Sequence, residues 1–171
     1  MRESGVTLIE CLVTLAILAV LVGLAAPSLS DQLNAARALT GAHQIYTAAQ
    51  YARSMAQTLE ETVTLCPLSP EADASSLCGG DFSGSIAAYH GAADHPEILR
   101  VWAPPGGIVV RNRSGSDHVT GEIQWRADGT GLRNLTLSVC AGEHNWAVFI
   151  NRLGRPRLSK DGGMCPDTKT I

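Results

Sequence analysis

From Cys11 to Ala26 the chain carries no charged side chain, and just before that run stands a carboxylate, Glu10. A helix that crosses a bilayer needs roughly 17–25 mostly apolar residues, and residues 6–26 supply that length. A charge left unpaired in such a helix costs at least ~2.5 kcal/mol, so Glu10 needs a partner. No basic residue stands near it within the run. Cutting the chain after Gly5 would create one, a free ammonium on Val6, one helical turn from Glu10. That ammonium could pair with its own Glu10 or with that of a neighbouring subunit. A secretory signal peptide would end in a small-residue cleavage site, which Leu24-Ala25-Ala26 weakly imitates. Neither that reading nor a plain anchor accounts for Glu10.

Behind this segment the 171 residues leave room for one further domain of about 100 residues. The net charge of −3 excludes a polyanion binder that works through overall charge; a nucleic-acid role needs a local patch. Arg2, on the N-terminal side of the apolar run, places the short leader in the cytoplasm and the bulk of the chain outside it. Cys11 reads as a lone thiol in the apolar run, leaving Cys66, Cys78, Cys140 and Cys165. An even number in an exported domain suggests two disulfides. Of three possible pairings, Cys66–Cys78 and Cys140–Cys165 each close a local loop and are expected. No Cys-x-x-Cys pair supports a zinc site.

From residue 28 to about 57 apolar side chains recur at three- and four-residue steps, with one longer step after Leu39: Leu29, Leu33, Ala36, Leu39, Ile45, Ala49, Ala52 and Ala56. Alanines on that stripe suit close packing on a sheet, with Arg37, Gln50 and Arg53 facing elsewhere, and Gly41 reads as the weak point. One long helix is expected, beginning in the membrane and ending in the folded domain. At residue 61 the period changes to two, and residues 62–66 read as a strand ended by Pro67. Further strands are expected at 82–89, 98–102, 108–112, 122–126, 135–141, 146–151 and 157–159, separated by turns such as Asp128-Gly129-Thr130-Gly131. The class is α+β: a long N-terminal helix, membrane-spanning in its first half, packed on an antiparallel, β-sandwich-like domain. The boundaries are a leader at 1–5, a span at 6–27, continuing helix at 28–60 and a β-rich domain at 61–171.

Gly5-Val6-Thr7-Leu8-Ile9-Glu10 resembles the type III signal of type IV pilins and type II secretion pseudopilins, with Val6 where phenylalanine is usual. The resemblance implies a prepilin peptidase that cuts after Gly5 and methylates Val6. It also implies other pilin subunits as partners through the N-terminal helix, and residence in the bacterial inner membrane with the C-terminal domain in the periplasm before entry into a pilus or pseudopilus. Val63-Thr-Leu-Cys-Pro67, Cys78-Gly-Gly-Asp-Phe82, Ile98-Leu-Arg100 and Leu153-Gly-Arg-Pro-Arg-Leu158 resemble the FimT/GspH group of minor pilins and pseudopilins, whose fold is the long helix on paired sheets.

Enzymatic motifs are absent: no Gly-x-Ser-x-Gly elbow, no phosphate-cradling loop and no His-Glu-x-x-His. The chain is therefore expected to be no enzyme and to need no cofactor or metal. His90, Asp94 and His95 cluster, but read as a solvated loop; Trp102, Trp125 and Trp146 read as core. The distinctive constellation is basic: Arg152, Arg155, Arg157 and Lys160, with Arg111 and Arg113 as a second, weaker pair. Arginine presents a rigid donor fork suited to phosphate. Gly154-Arg155-Pro156-Arg157 matches the Gly-Arg-x-Arg tail pattern of DNA-binding FimT-like minor pilins, which implies DNA as a partner and uptake in natural transformation. The competing expectation is a structural minor pilin or pseudopilin without a ligand.

Overall fold

A computed structural model of the chain describes residues 7–69, 77–92 and 95–166, with the side chains of residues 22–28 outside the description. The chain divides into two compact units, Met1–Leu33 and Asn34–Ile171. Helix α1 runs from Leu8 to Leu59. In the first unit every described side chain from Thr7 to Leu21 is exposed, including Leu8, Ile9, Leu12, Leu15 and Leu18. A helix apolar on all sides belongs in lipid or among other helices. Among the described residues no helix is long and apolar enough to cross a membrane. The span expected at 6–27 falls partly outside those residues, as do Gly5 and Val6.

The second unit begins where α1 acquires a buried seam: Ala38, Ala42, Ile45, Ala49, Ala52 and Ala56, all fully buried. The steps alternate between four and three, which keeps one narrow face toward the sheets. The seam differs from the expected stripe at its start. Leu29 and Leu33 are exposed, and Ala38 and Ala42 are buried in place of Ala36 and Leu39. Gly41 is a contact point, not a weak one: a Cβ there would stand 2.7 Å from Ile108 Cδ1 and 3.3 Å from Val139 Cγ1. Its bare backbone lets the helix lie close on the strands, at the ~1 kcal/mol that glycine costs inside a helix. The helix stops at Glu60, whose φ of 55° is the left-handed conformation that ends helices.

Among the described residues eight strands follow: β1 Val63–Pro67, β2 Ile86–His90, β3 Glu97–Trp102, β4 Val109–Arg111, β5 Ile123–Trp125, β6 Leu135–Ala141, β7 His144–Ile150 and β8 Pro156–Lys160. They form two antiparallel four-stranded sheets, ordered β3-β2-β1-β5 and β4-β6-β7-β8. The boundaries lie near those expected, except that residues 82–85 form a turn instead of opening β2, and β1 includes Pro67. Val63, Leu65, Ile86 and Trp125 from the first sheet and Val110, Leu137, Val139 and Val148 from the second share one core with the alanine seam. Disulfides join Cys66 to Cys78 and Cys140 to Cys165, the two local pairings. Cys11 is free and exposed.

Candidate nucleic-acid interface

Strand alternation sorts the basic residues by face. In β7, Val148 and Ile150 are buried, so Phe149 between them points away from the core. Phe149 pairs with Thr136 of β6 on one side and with Arg157 of β8 on the other. β4 ends at Arg111, opposite Ser138, and Arg113 follows two residues later in a turn. The outer face thus carries Thr136, Phe149 and Arg157 in one transverse row, with Arg113 beyond the end of β4 on the far side. Arg113, Arg155 and Arg157 all line one hollow of about 440 Å3, floored by Leu135, Thr136 and Phe149 and edged by Asn112, Asn134 and Asn151. Among the described residues no carboxylate forms a salt bridge with any of the three arginines.

Arg152 and Lys160 are placed elsewhere. Arg152 lies exposed in the turn after β7, its N–H donating to Asn134 Oδ1 (2.9 Å). Lys160 pairs with Trp146, on the opposite face from Arg157, and lines a separate hollow with Ala35, Ala36 and Leu39.

The turn that aims Arg155 is built from buried parts. Gly154 is buried with φ of 72°, and a Cβ on it would overlap the Gly129 carbonyl oxygen. Its carbonyl accepts the indole N–H of fully buried Trp125 at 2.9 Å. Its N–H donates to the Asn151 carbonyl (2.8 Å), and Arg155 N–H to Asn151 Oδ1 (3.1 Å). The Gly129 turn is held in its own right by α1: Arg53 Nε donates to the Gly129 carbonyl at 3.1 Å, and Gln57 Nε2 to that of Asp128 at 3.3 Å. Arg53, expected to face elsewhere, reaches into the domain to do so. Hydrogen bonds from the Thr130 side chain and backbone hold the Asp128 carboxyl below its ordinary value. A continuous chain of contacts thus runs from helix to turn to Gly154 to the arginines. Sequence reading identified Trp125 only as core, and missed Asn134 and Asn151.

The other rim is fixed from the C-terminal side. After β8 the backbone folds back across the second sheet. Asn145 Nδ2 donates to the Gly163 carbonyl at 2.6 Å, and the Met164 N–H to the Arg113 carbonyl at 3.1 Å. Cys165 then closes on Cys140. Arg157 is held instead by strand pairing, and Arg155 by the turn at Gly154 that Trp125 supports.

The first sheet ends in a larger hollow, about 840 Å3, lined by Asp81, His118 and Glu122 beside Cys78. Here the charges are partnered internally. His118 Nδ1 stands 2.6 Å from Asp81 Oδ2, Ser83 N–H donates to Asp81 Oδ1 at 2.7 Å, and Tyr89 donates to Glu122 at 3.1 Å. Burial pushes the Asp81 pKa up, but Ser83 and His118 outweigh it and leave the carboxyl below its ordinary value. Burial and the Glu122 charge raise that of Tyr89. Near the expected histidine cluster, His90 lies between Glu61 (2.9 Å) and Glu97 (3.3 Å). Asp94 is outside the described residues, among which no group of three or more metal-ligand side chains assembles.

An exposed apolar helix that continues into an alanine-seamed domain of two antiparallel sheets defines a pilin-like protein. The chain belongs to the type II transport protein GspH family, whose model matches residues 41–154. Residues 1–26 match the prokaryotic N-terminal methylation motif. Two crystal structures of the Pseudomonas aeruginosa (strain PAO1) type IV minor pilin FimU share the fold. One is 16% identical, with a TM-score of 0.56 over 75% of this chain and 97% of FimU. The other is 15% identical, with a TM-score of 0.57 over 76% and 92%. No curated protein matches.

Proposed function

We propose that this chain is a minor pilin of a type IV pilus that binds DNA without sequence preference, for uptake in natural transformation. The observation that carries the reading is the hollow where Arg113, Arg155 and Arg157 meet with no carboxylate partner among the described residues. Guanidinium groups so placed suit phosphates, and phosphate contacts carry no base information. The built turn at Gly154 lowers the ordering cost on binding. About three contacts give a log–log salt slope near −2.7, at ~0.9 per contact on duplex DNA. A single subunit then binds weakly, and repetition in a filament supplies avidity.

The N-terminal segment fits that role. A leader at 1–5 is removed between Gly5 and Val6, Val6 is methylated, and the new ammonium pairs with Glu10. Residues 6–27 anchor the chain once through the inner membrane with the remainder in the periplasm, until the helix joins others in the filament. Intact-mass analysis of membrane-extracted protein checks this: loss of Met1–Gly5 with a methyl added supports it, and a mature chain still starting at Met1 contradicts it.

The test of DNA binding is a gel-shift of the detergent-solubilised full chain with duplex DNA at two salt concentrations, wild type against Arg155→Gln/Arg157→Gln. Loss of two contacts lowers the slope toward ~−0.9. The family description favours a second reading, a type II secretion pseudopilin or structural pilin without a ligand. That reading takes over if the double variant binds as wild type does.

A further inference from the structure

We infer that Arg113 is a third DNA-contacting residue and that the Cys140–Cys165 disulfide is what places it; this rests on the reading of the arginine hollow as a DNA site. Arg157 stands on β8, one outermost strand of the second sheet, and Arg113 lies two residues beyond the end of β4, the other. Three strand spacings separate β4 from β8, about 14 Å at 4.7–4.9 Å each. A phosphodiester backbone lying across the strands therefore meets Arg155 and Arg157 at one rim of the hollow and Arg113 at the other. Between them lie Thr136 and Phe149, neither of them charged, so nothing on the floor repels a polyanion.

The two rims are held by independent devices. The Arg155 rim hangs on Gly154, Trp125 and the pairing of β8 with β7. The Arg113 rim lies in a loop tied internally by Asn112, which bonds Ser116 and Asp117 through its amide and accepts the Ser116 N–H. The base of that loop is held by the bridge between Arg111 and His118, and its Arg113 carbonyl accepts the Met164 N–H, one residue before Cys165. Gly115 packs there as well, where a Cβ would stand 3.0 Å from the Met164 carbonyl oxygen. Opening the disulfide leaves the strap held upstream, by Asn145 at Asp161 and Gly163, and loosens the Met164 contact that places Arg113, while the opposite rim keeps its own supports. Oxidation of the exported domain is thus a condition for the full three-arginine site.

The experiment is the salt dependence of duplex binding by the detergent-solubilised full chain, read by fluorescence anisotropy. Between 50 and 200 mM salt, three contacts predict a loss of roughly 40-fold in affinity and two contacts a loss of about 12-fold. Wild type and Arg113→Lys, which keeps the charge, should follow the steeper dependence. Arg113→Gln should follow the shallower one, with near-ultraviolet circular dichroism unchanged. Cys140→Ser/Cys165→Ser should match Arg113→Gln, and combining them should lower the dependence no further. Arg113→Gln retaining the 40-fold loss while Arg155→Gln reduces it overturns this inference and leaves the DNA reading standing. The cysteine pair retaining the 40-fold loss overturns the role of the disulfide. No change in any arginine variant removes both the inference and the DNA reading.

Discussion

The two sheets each end in a hollow bordered by a segment that a disulfide ties down, but they treat charge in opposite ways. At the end of the first sheet the carboxylates of Asp81 and Glu122 are satisfied by His118, Ser83, Tyr89 and Gln124 from the same chain. On the outer face of the second, Arg113, Arg155 and Arg157 converge with no carboxylate paired to them among the described residues. Like charges brought together without counter-charge repel one another, and in a chain of net charge −3 there is no shortage of carboxylates that could have been placed there. In the first hollow the carboxylates are hydrogen-bonded within the chain. The second is open to an anion.

The contrast can be broken most severely at Gly154. Gly154→Ala drives a Cβ into the Gly129 carbonyl at a positive φ. Steric strain and overpacking together should cost roughly 4 kcal/mol, read as a lower midpoint in chemical denaturation, with DNA affinity lost as the turn deforms. The disulfides come next and separate the two hollows. Cys140–Cys165 closes 25 residues and Cys66–Cys78 closes 12, so the chain-entropy model gives losses of ~3.5 and ~2.8 kcal/mol on removal. Cys66→Ser/Cys78→Ser should destabilise without changing the salt slope of DNA binding, because the arginine hollow does not depend on it. Trp125→Phe leaves the Gly154 carbonyl without its indole donor, at a cost of about 1–3 kcal/mol. Here the Arg155 contact should weaken more than that of Arg113.

The smallest effect is an acid one. Asp81 has a folded-state pKa below its ordinary 3.8, so its contribution to stability is present above that value and is lost as pH falls through the lower, folded one. Asp81→Asn should flatten the acid limb of stability below about pH 4 and leave DNA binding at neutral pH unchanged. Urea midpoints measured from pH 2 to 7 check the first part. An unchanged acid limb would show that His118 and Ser83 do not hold that carboxylate.

Much of this fold was legible because its signals are local. The change from three-and-four spacing to alternation after Glu61 marked the passage from helix to sheet, and Thr62-Val-Thr-Leu-Cys66 announced β1 within a residue. The seam was harder. Ala36 and Leu39 fit the same period as Ala38 and Ala42, and which face is buried depends on where the sheets lie. Gly41 shows the same limit: it reads as a helix weakness until Ile108, far along the chain, is placed against it. Within the site, the Gly-Arg-Pro-Arg stretch was visible as a string of residues. Its supports were not, because Trp125, Asn134 and Asn151 come from different turns and strands and meet only through the register of β5, β6 and β7. That register also sorts Lys160 from Arg157, which sequence proximity had grouped together.

The most direct measurement is amide chemical-shift mapping of the full chain in detergent micelles, titrated with a short DNA duplex. Perturbations confined to Arg113 and to residues 151–157, fading as salt is raised, are the expected result. Perturbations centred on Asp81, His118 and Glu122, or none near Arg155 and Arg157 at low salt, would contradict the assignment of the second sheet's outer face to DNA.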